Sequence, residues 1–217
     1  MACAILPIFY RQGKTMIAAL VFIIDVIIAY LIGSLSTAII VSRLFNLPDP
    51  RANGSKNPGT TNVLRLAGKK YAAIVLLGDM LKGLLPLLLA HFLGSSPALL
   101  GFTCLAAVMG HIYPVFFDFK GGKGVATALG AFLGFHFMMG VVILATWLLI
   151  ANFSRYSSLA SIIAITFAPF YSLLVVGNLS AFLPLITITI FVLYQHRDNI
   201  SRLINGEEPK INLRKKI

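Results

Sequence analysis

Long apolar runs, separated by short polar segments rich in glycine and proline, set the pattern of this chain. A helix crossing a hydrocarbon core of about 30 Å needs about 20 apolar residues. We read spans at 16–41, 71–93, 97–117, 157–176 and 181–194. The run 124–152 has 29 residues, about 43 Å as one helix, too long for a single span without strong tilt. Gly134-Phe135-His136-Phe137 interrupts it near the middle and divides it into two shorter helices. The predicted fold class is an all-α polytopic membrane protein with seven transmembrane helices. Residues 16–217 form one integral-membrane domain with a basic tail from about 195, preceded by an extension at 1–15, where Met16 offers an alternative start. Arg11 and Lys14 resemble the charged end of a signal peptide, but the apolar run after them is too long to be a cleaved one.

Charge placement decides between seven spans and six. With seven, one side carries Arg43, Arg51, Lys56, Arg65, Lys69, Lys70, Lys120, Lys123, Arg155 and the basic residues from Arg197 onward. The connections at 94–96, 134–137 and 177–180, on the other side, carry no lysine or arginine. Six spans would move Arg155 and the tail across and erase the asymmetry. The positive-inside rule then puts the carboxyl terminus and the basic loops in the cytoplasm and the amino terminus in the periplasm, with Arg11 and Lys14 as exceptions. Composition agrees: 58% of residues are hydrophobic, 12% are charged and mean hydropathy is +0.89, whereas soluble domains carry about 25% charged residues. The net charge of +11 is scattered between apolar runs, which fits anionic lipid better than nucleic acid. Cys3 and Cys104 are isolated, so neither a disulfide framework nor a metal site is expected.

Two polar loops carry candidate chemistry. In the first, Asn53-Gly54 and Pro58-Gly59 are turn pairs, and successive amides in turns form concavities that hold anions. Ser55, Asn57, Gly59, Thr61 and Asn62 add backbone and side-chain donors, and Arg65 adds a fork suited to phosphate. The alternative is a solvated loop with ordinary cytoplasmic charge. In the second, Lys120, Gly121, Gly122, Lys123 and Gly124 open a helix whose amino-terminal amides and dipole attract anions. This is not a Walker A loop, since Gly124 follows the lysine where Ser or Thr is required. His111 precedes this loop; Asp79 and Lys82 share a helix face as an ion pair or a functional intramembrane pair. Arg155, Ser157, Ser158 and Ser161 open the sixth span, and His196 and Asn199 lie one turn apart at the start of the tail, where Ile200, Leu203 and Ile204 form an apolar stripe suited to the membrane surface.

Taken together, the stretches 54–65, 110–127 and 196–203 resemble the bacterial membrane glycerol-3-phosphate acyltransferases that use acyl-phosphate, the PlsY type, over about 29–210. Lys56 and Asp118 depart from the usual glycines of that family. The resemblance implies an inner-membrane enzyme that transfers a fatty acyl group from acyl-phosphate to position 1 of glycerol 3-phosphate, giving lysophosphatidic acid, with no cofactor. It implies that Ser55, Arg65, Lys123, Ser161, His196 and Asn199 act in catalysis, and that a soluble enzyme making acyl-phosphate is a metabolic partner. Asn57, Gly59, Thr61, Asn62, Lys120, Gly121, Gly122, Gly124, His111 and Arg155 are expected to bind substrate. Acyltransferases that use a His and an Asp five positions on are not matched: Phe116 follows His111 at that spacing and Ser201 follows His196. The rival class is a transporter of an anionic small molecule, which would place polar groups at the bilayer midplane on repeated broken helices; no internal repeat is visible.

Overall fold

The computed structural model describes residues 6–177 and 179–211. The expectations for residues 1–5, including Cys3, for the side chains of Arg11 and Lys14, and for Arg214, Lys215 and Lys216 fall outside them. Among the described residues every regular element is helical. In chain order these are α1 (Leu6–Gly33), α2 (Thr37–Leu44), α3 (Thr60–Ala67), α4 (Lys69–Phe92), α5 (Pro97–Ile112), α6 (Val125–Phe135), α7 (Phe137–Ser154), α8 (Ser157–Val176), α9 (Phe182–Gln195) and α10 (Arg197–Ile204), with a 3-10 turn at Val115–Phe117 after α5.

Four helical segments, Lys69–Phe92, Pro97–Phe117, Phe137–Ser154 and Ser157–Val176, are long and apolar enough to cross a membrane, and α1 with α2 makes a fifth if counted as one bent span. The shorter apolar helices are α6 and α9. The run 124–152 divides at His136, an extended residue between α6 and α7.

Two elements differ from expectation. The first span is not one helix: it stops at Gly33 and resumes at Thr37 with a bend of 40°. Ser34 turns its hydroxyl back onto the Tyr30 carbonyl at 2.8 Å, a local bond that competes with helix continuation. The first polar loop contains α3, so Arg65 sits on the last turn of a short helix.

The α4–α6 pair meets through glycines. A Cβ on Gly130 would fall 1.9 Å from the Met80 carbonyl oxygen, and one on Gly83 would fall 2.1 Å from that of Thr127. Small residues let backbones approach where no hydrophobic driving force separates helix from lipid. Around this contact lies the main core, with Leu87, Val108, Phe132, Met139, Ile165, Leu185 and Ile188 buried between α4, α5, α6, α7, α8 and α9. Exposed Leu, Ile and Phe side chains cover the outer faces of the long helices, as contact with lipid requires. The polar stretches gather at one end of this bundle, where α4, α6 and α8 begin and α5 and α9 end.

Candidate active site

The loop before α6 is shaped by the end of α5. Gly121 N–H donates to the Ile112 carbonyl at 3.2 Å and Gly122 N–H to the His111 carbonyl at 3.1 Å. A Cβ on Gly121 would fall 2.0 Å from the His111 oxygen. Both amides are thus spent on closing α5, not on an anion. Gly124 adopts a left-handed conformation, φ 86°, which glycine enters without penalty and which turns the chain into α6. The anion-attracting amides are the free first turn of α6 that follows it.

Lys123 leaves this loop half-buried, and its ammonium donates to Asn199 Oδ1. Asn199 is buried in α10 and donates through Nδ2 to Glu208 Oε1 at 2.6 Å. The same carboxylate oxygen accepts from Ser158 Oγ at 2.7 Å, while Oε2 accepts from Arg202 Nε at 2.8 Å. Burial opposes charge on Glu208, yet the hydrogen bonds from Ser158, Asn199 and Arg202 outweigh it and hold the carboxyl below its ordinary pKa. An ionised carboxylate only accepts, so Glu208 forces the Asn199 amide to present Nδ2 to it and Oδ1 to Lys123. Burial draws the Lys123 pKa down to about 8; Glu208 opposes this, and the positive charges of Arg202 and Arg65 reinforce it. Arg65 itself stands exposed on the last turn of α3.

His196, at the α9–α10 junction, is buried with Nδ1 2.7 Å from the Val192 carbonyl oxygen. A carbonyl only accepts, so Nδ1 carries the proton and Nε2 keeps its lone pair. Burial, with the charge of Lys123 second, brings the His196 pKa down to about 4; the ring is neutral at pH 7.

The remaining candidates fall into two groups. Asn62 organises the first loop: Oδ1 accepts from Ser55 N–H at 3.0 Å, and Nδ2 donates to the carbonyls of Pro50 and Asn53, each at 3.0 Å. Around it, Ser55 is exposed, and Asn57 and Gly59 form the turn leading into α3. The Thr61 and Ser157 hydroxyls stand 3.3 Å apart, which ties α3 to the start of α8. Ser161 donates to the Ser157 carbonyl at 2.8 Å and accepts from Trp147 Nε1 at 3.0 Å, so its proton and one of its two lone pairs are occupied within the protein. Arg155 and Lys120 are exposed; Arg155 ends α7 in a left-handed conformation, φ 62°, and its carbonyl accepts from Ile211 N–H at 2.7 Å.

Sequence reasoning missed Glu208, Arg202 and Trp147; Ser158 was named at the start of the sixth span, without its bond to Glu208. The signal for Glu208 was a pair of acidic residues, Glu207 and Glu208, standing in an otherwise basic tail.

A family model described as glycerol-3-phosphate acyltransferase matches residues 23–206. The chain belongs to the glycerol-3-phosphate acyltransferase family. One relative, a glycerol-3-phosphate acyltransferase of Legionella pneumophila strain Philadelphia 1, is 63% identical over 193 residues, covering 89% of this chain and 70% of its own. Two solved structures share the fold: the glycerol 3-phosphate form of PlsY, an integral membrane glycerol 3-phosphate acyltransferase, with TM-score 0.83 and 41% identity over 88% of this chain and 96% of that one, and its lysophosphatidic acid form, with TM-score 0.81 and 40% identity over 88% and 95%. As a member of the acyltransferase family with this fold, the chain is a multi-pass membrane enzyme.

Proposed function

We propose that the enzyme transfers a fatty acyl group from acyl-phosphate to the 1-hydroxyl of glycerol 3-phosphate at the cytoplasmic face of the bacterial inner membrane, releasing lysophosphatidic acid and inorganic phosphate. Seven crossings, the short α6 and α9 included, and a cytoplasmic tail complete this reading; they rest on the distribution of basic residues between the two ends of the bundle. The observation that carries it is the cluster in which Lys123 meets Asn199 within electrostatic reach of Arg65, beside neutral His196.

Acyl-phosphate is a mixed anhydride with a good leaving group, so activation of the carbonyl is a minor demand. The larger one is to hold two phosphate-bearing molecules together against mutual repulsion, in a geometry that allows attack. Lys123 and Arg65 supply positive charge for this, and the open amides at the start of α6 supply donors. Ser55, Asn57 and Thr61 line the approach from the first loop, and His196 accepts from a glycerol hydroxyl through Nε2. A conjugate acid with a pKa near 4 marks a weak base at pH 7. The proton of the attacking hydroxyl therefore passes to a phosphate oxygen of the donor, and His196 orients the hydroxyl. The new ester C–O bond forms, the acyl C–O bond to phosphate breaks, and the phosphate leaves with the proton. A soluble phosphate acyltransferase supplying the anhydride is the metabolic partner this chemistry requires.

Purified protein given acyl-phosphate and labelled glycerol 3-phosphate is expected to form lysophosphatidic acid and phosphate in equal amounts, and Lys123→Ala or Arg65→Ala to lose two or more orders of magnitude of turnover, roughly the weight of a preorganised charge contact. Turnover with acyl-CoA instead, or uptake of intact glycerol 3-phosphate into vesicles without acylation, would overturn the proposal.

A further inference from the structure

A buried polar chain runs from the break in the first long helix to the loop that carries Lys123. The Leu35 carbonyl, in the non-helical residues between α1 and α2, accepts from Lys82 Nζ at 2.8 Å. That ammonium also lies 2.8 Å from Asp79 Oδ1, and the same oxygen stands 3.7 Å from His111 Nδ1. Asp79, Lys82 and His111 are 1%, 5% and 6% exposed. Charges buried so deeply persist only when paired, and Lys82 balances Asp79 by itself. His111 is not needed for neutralisation. Its Nδ1 is beyond hydrogen-bond reach of Asp79, leaving an electrostatic pull between carboxylate and ring.

The other edge of the ring faces the lysine loop. A Cβ on Gly122 would fall 2.3 Å from His111 Nε2 and 3.0 Å from Cε1, and the Gly122 amide is bonded to the His111 carbonyl. The residue before Lys123 is thus seated on His111 through both ring and backbone, with the Pro58 carbonyl of the first loop closing over it, 3.0 Å from the same Cβ position.

We infer that His111 is a positioning residue for Lys123, its ring oriented by Asp79 and its edge bracing Gly122 so that the lysine emerges at the height of Asn199. This rests on the reading of Lys123 as the phosphate-binding cation. A ring at this place limits how closely Gly122 can settle onto α5, and a displacement of about 1 Å at a reacting pair costs roughly 100-fold in rate.

The test is a double-mutant cycle between His111 and Lys123 in detergent-purified enzyme, read with labelled glycerol 3-phosphate and with kcat and KM separated. His111→Ala is expected to lower kcat/KM roughly 10- to 100-fold in the parent enzyme and less than about twofold in a Lys123→Ala background, since sites acting through one another are not additive. His111→Gln, which refills part of the space under Gly122, is expected to recover part of the loss. If His111→Ala yields no folded protein, Asp79→Asn with Lys82→Met, which leaves no buried charge unpaired, takes its place in the cycle with the same expectations. An unchanged kcat/KM, or an equal fold-loss in both backgrounds, overturns the inference. If Lys123→Ala alone leaves activity intact, it is instead the role of Lys123 that fails.

Discussion

With Lys123 as the phosphate-binding cation proposed above, its environment sets the pH conditions of catalysis. Its pKa, drawn down to about 8 by burial, means that the free enzyme carries the charge below that pH and loses it above. Phosphate monoesters hold their second negative charge above about pH 6, so substrate and lysine are matched between these limits. His196, with a pKa near 4, stays neutral throughout and adds no inflection. The expected kcat/KM profile is flat from about pH 6.5 to 7.5 and falls above pH 8. Lys123→Arg should remove the alkaline fall, because arginine does not titrate in this range. A decline that survives in Lys123→Arg would assign it to another group. Asn199 and Glu208 act on the same lysine by holding its partner oxygen in place.

At the scale of elements, glycines decide where helices touch. Gly130 packs its Cα on the Met80 carbonyl, so Gly130→Leu must force α6 away from α4. Overpacking of this kind costs about 1–3 kcal/mol or more, and the variant is expected to melt several degrees lower in detergent, with the loop before α6 displaced. A melting temperature equal to the parent's would show that the two helices are not locked at this point. The same scale explains what was legible in the sequence. The break at His136, the Asp79–Lys82 pairing and the apolar helices followed from hydropathy and spacing. α3 did not, because Thr60–Ala67 is short and polar and is held by Asn62 and the turns before it, not by apolar periodicity. The bend before α2 was hidden because Ser34-Leu35-Ser36 sits between apolar residues on both sides, and hydropathy averages over it.

For the whole molecule, the basic loops at 42–70 and 118–124 and the candidate site lie at the same end of the bundle, so orientation in the membrane and access to soluble glycerol 3-phosphate are one question. A reporter fused after Ile217, active only in the cytoplasm, is expected to be active; a reporter that works only in the periplasm would reverse the topology and exclude a cytoplasmic substrate. The meeting of Lys123 with Asn199, 76 residues apart, was anticipated from the matching motifs, since no local pattern brings the lysine loop to α10. The clasp by Glu208 was not, because no local pattern links this carboxylate to Ser158, 50 residues before it in the sequence. Glu208 follows every long helix in the chain and reaches back to Ser158 and Asn199. During biosynthesis, then, the ribosome must deliver all of α1 to α10 and the turn after them before the lysine finds its oriented amide, and a translation product that stops short of Glu208 is expected to lack that clasp.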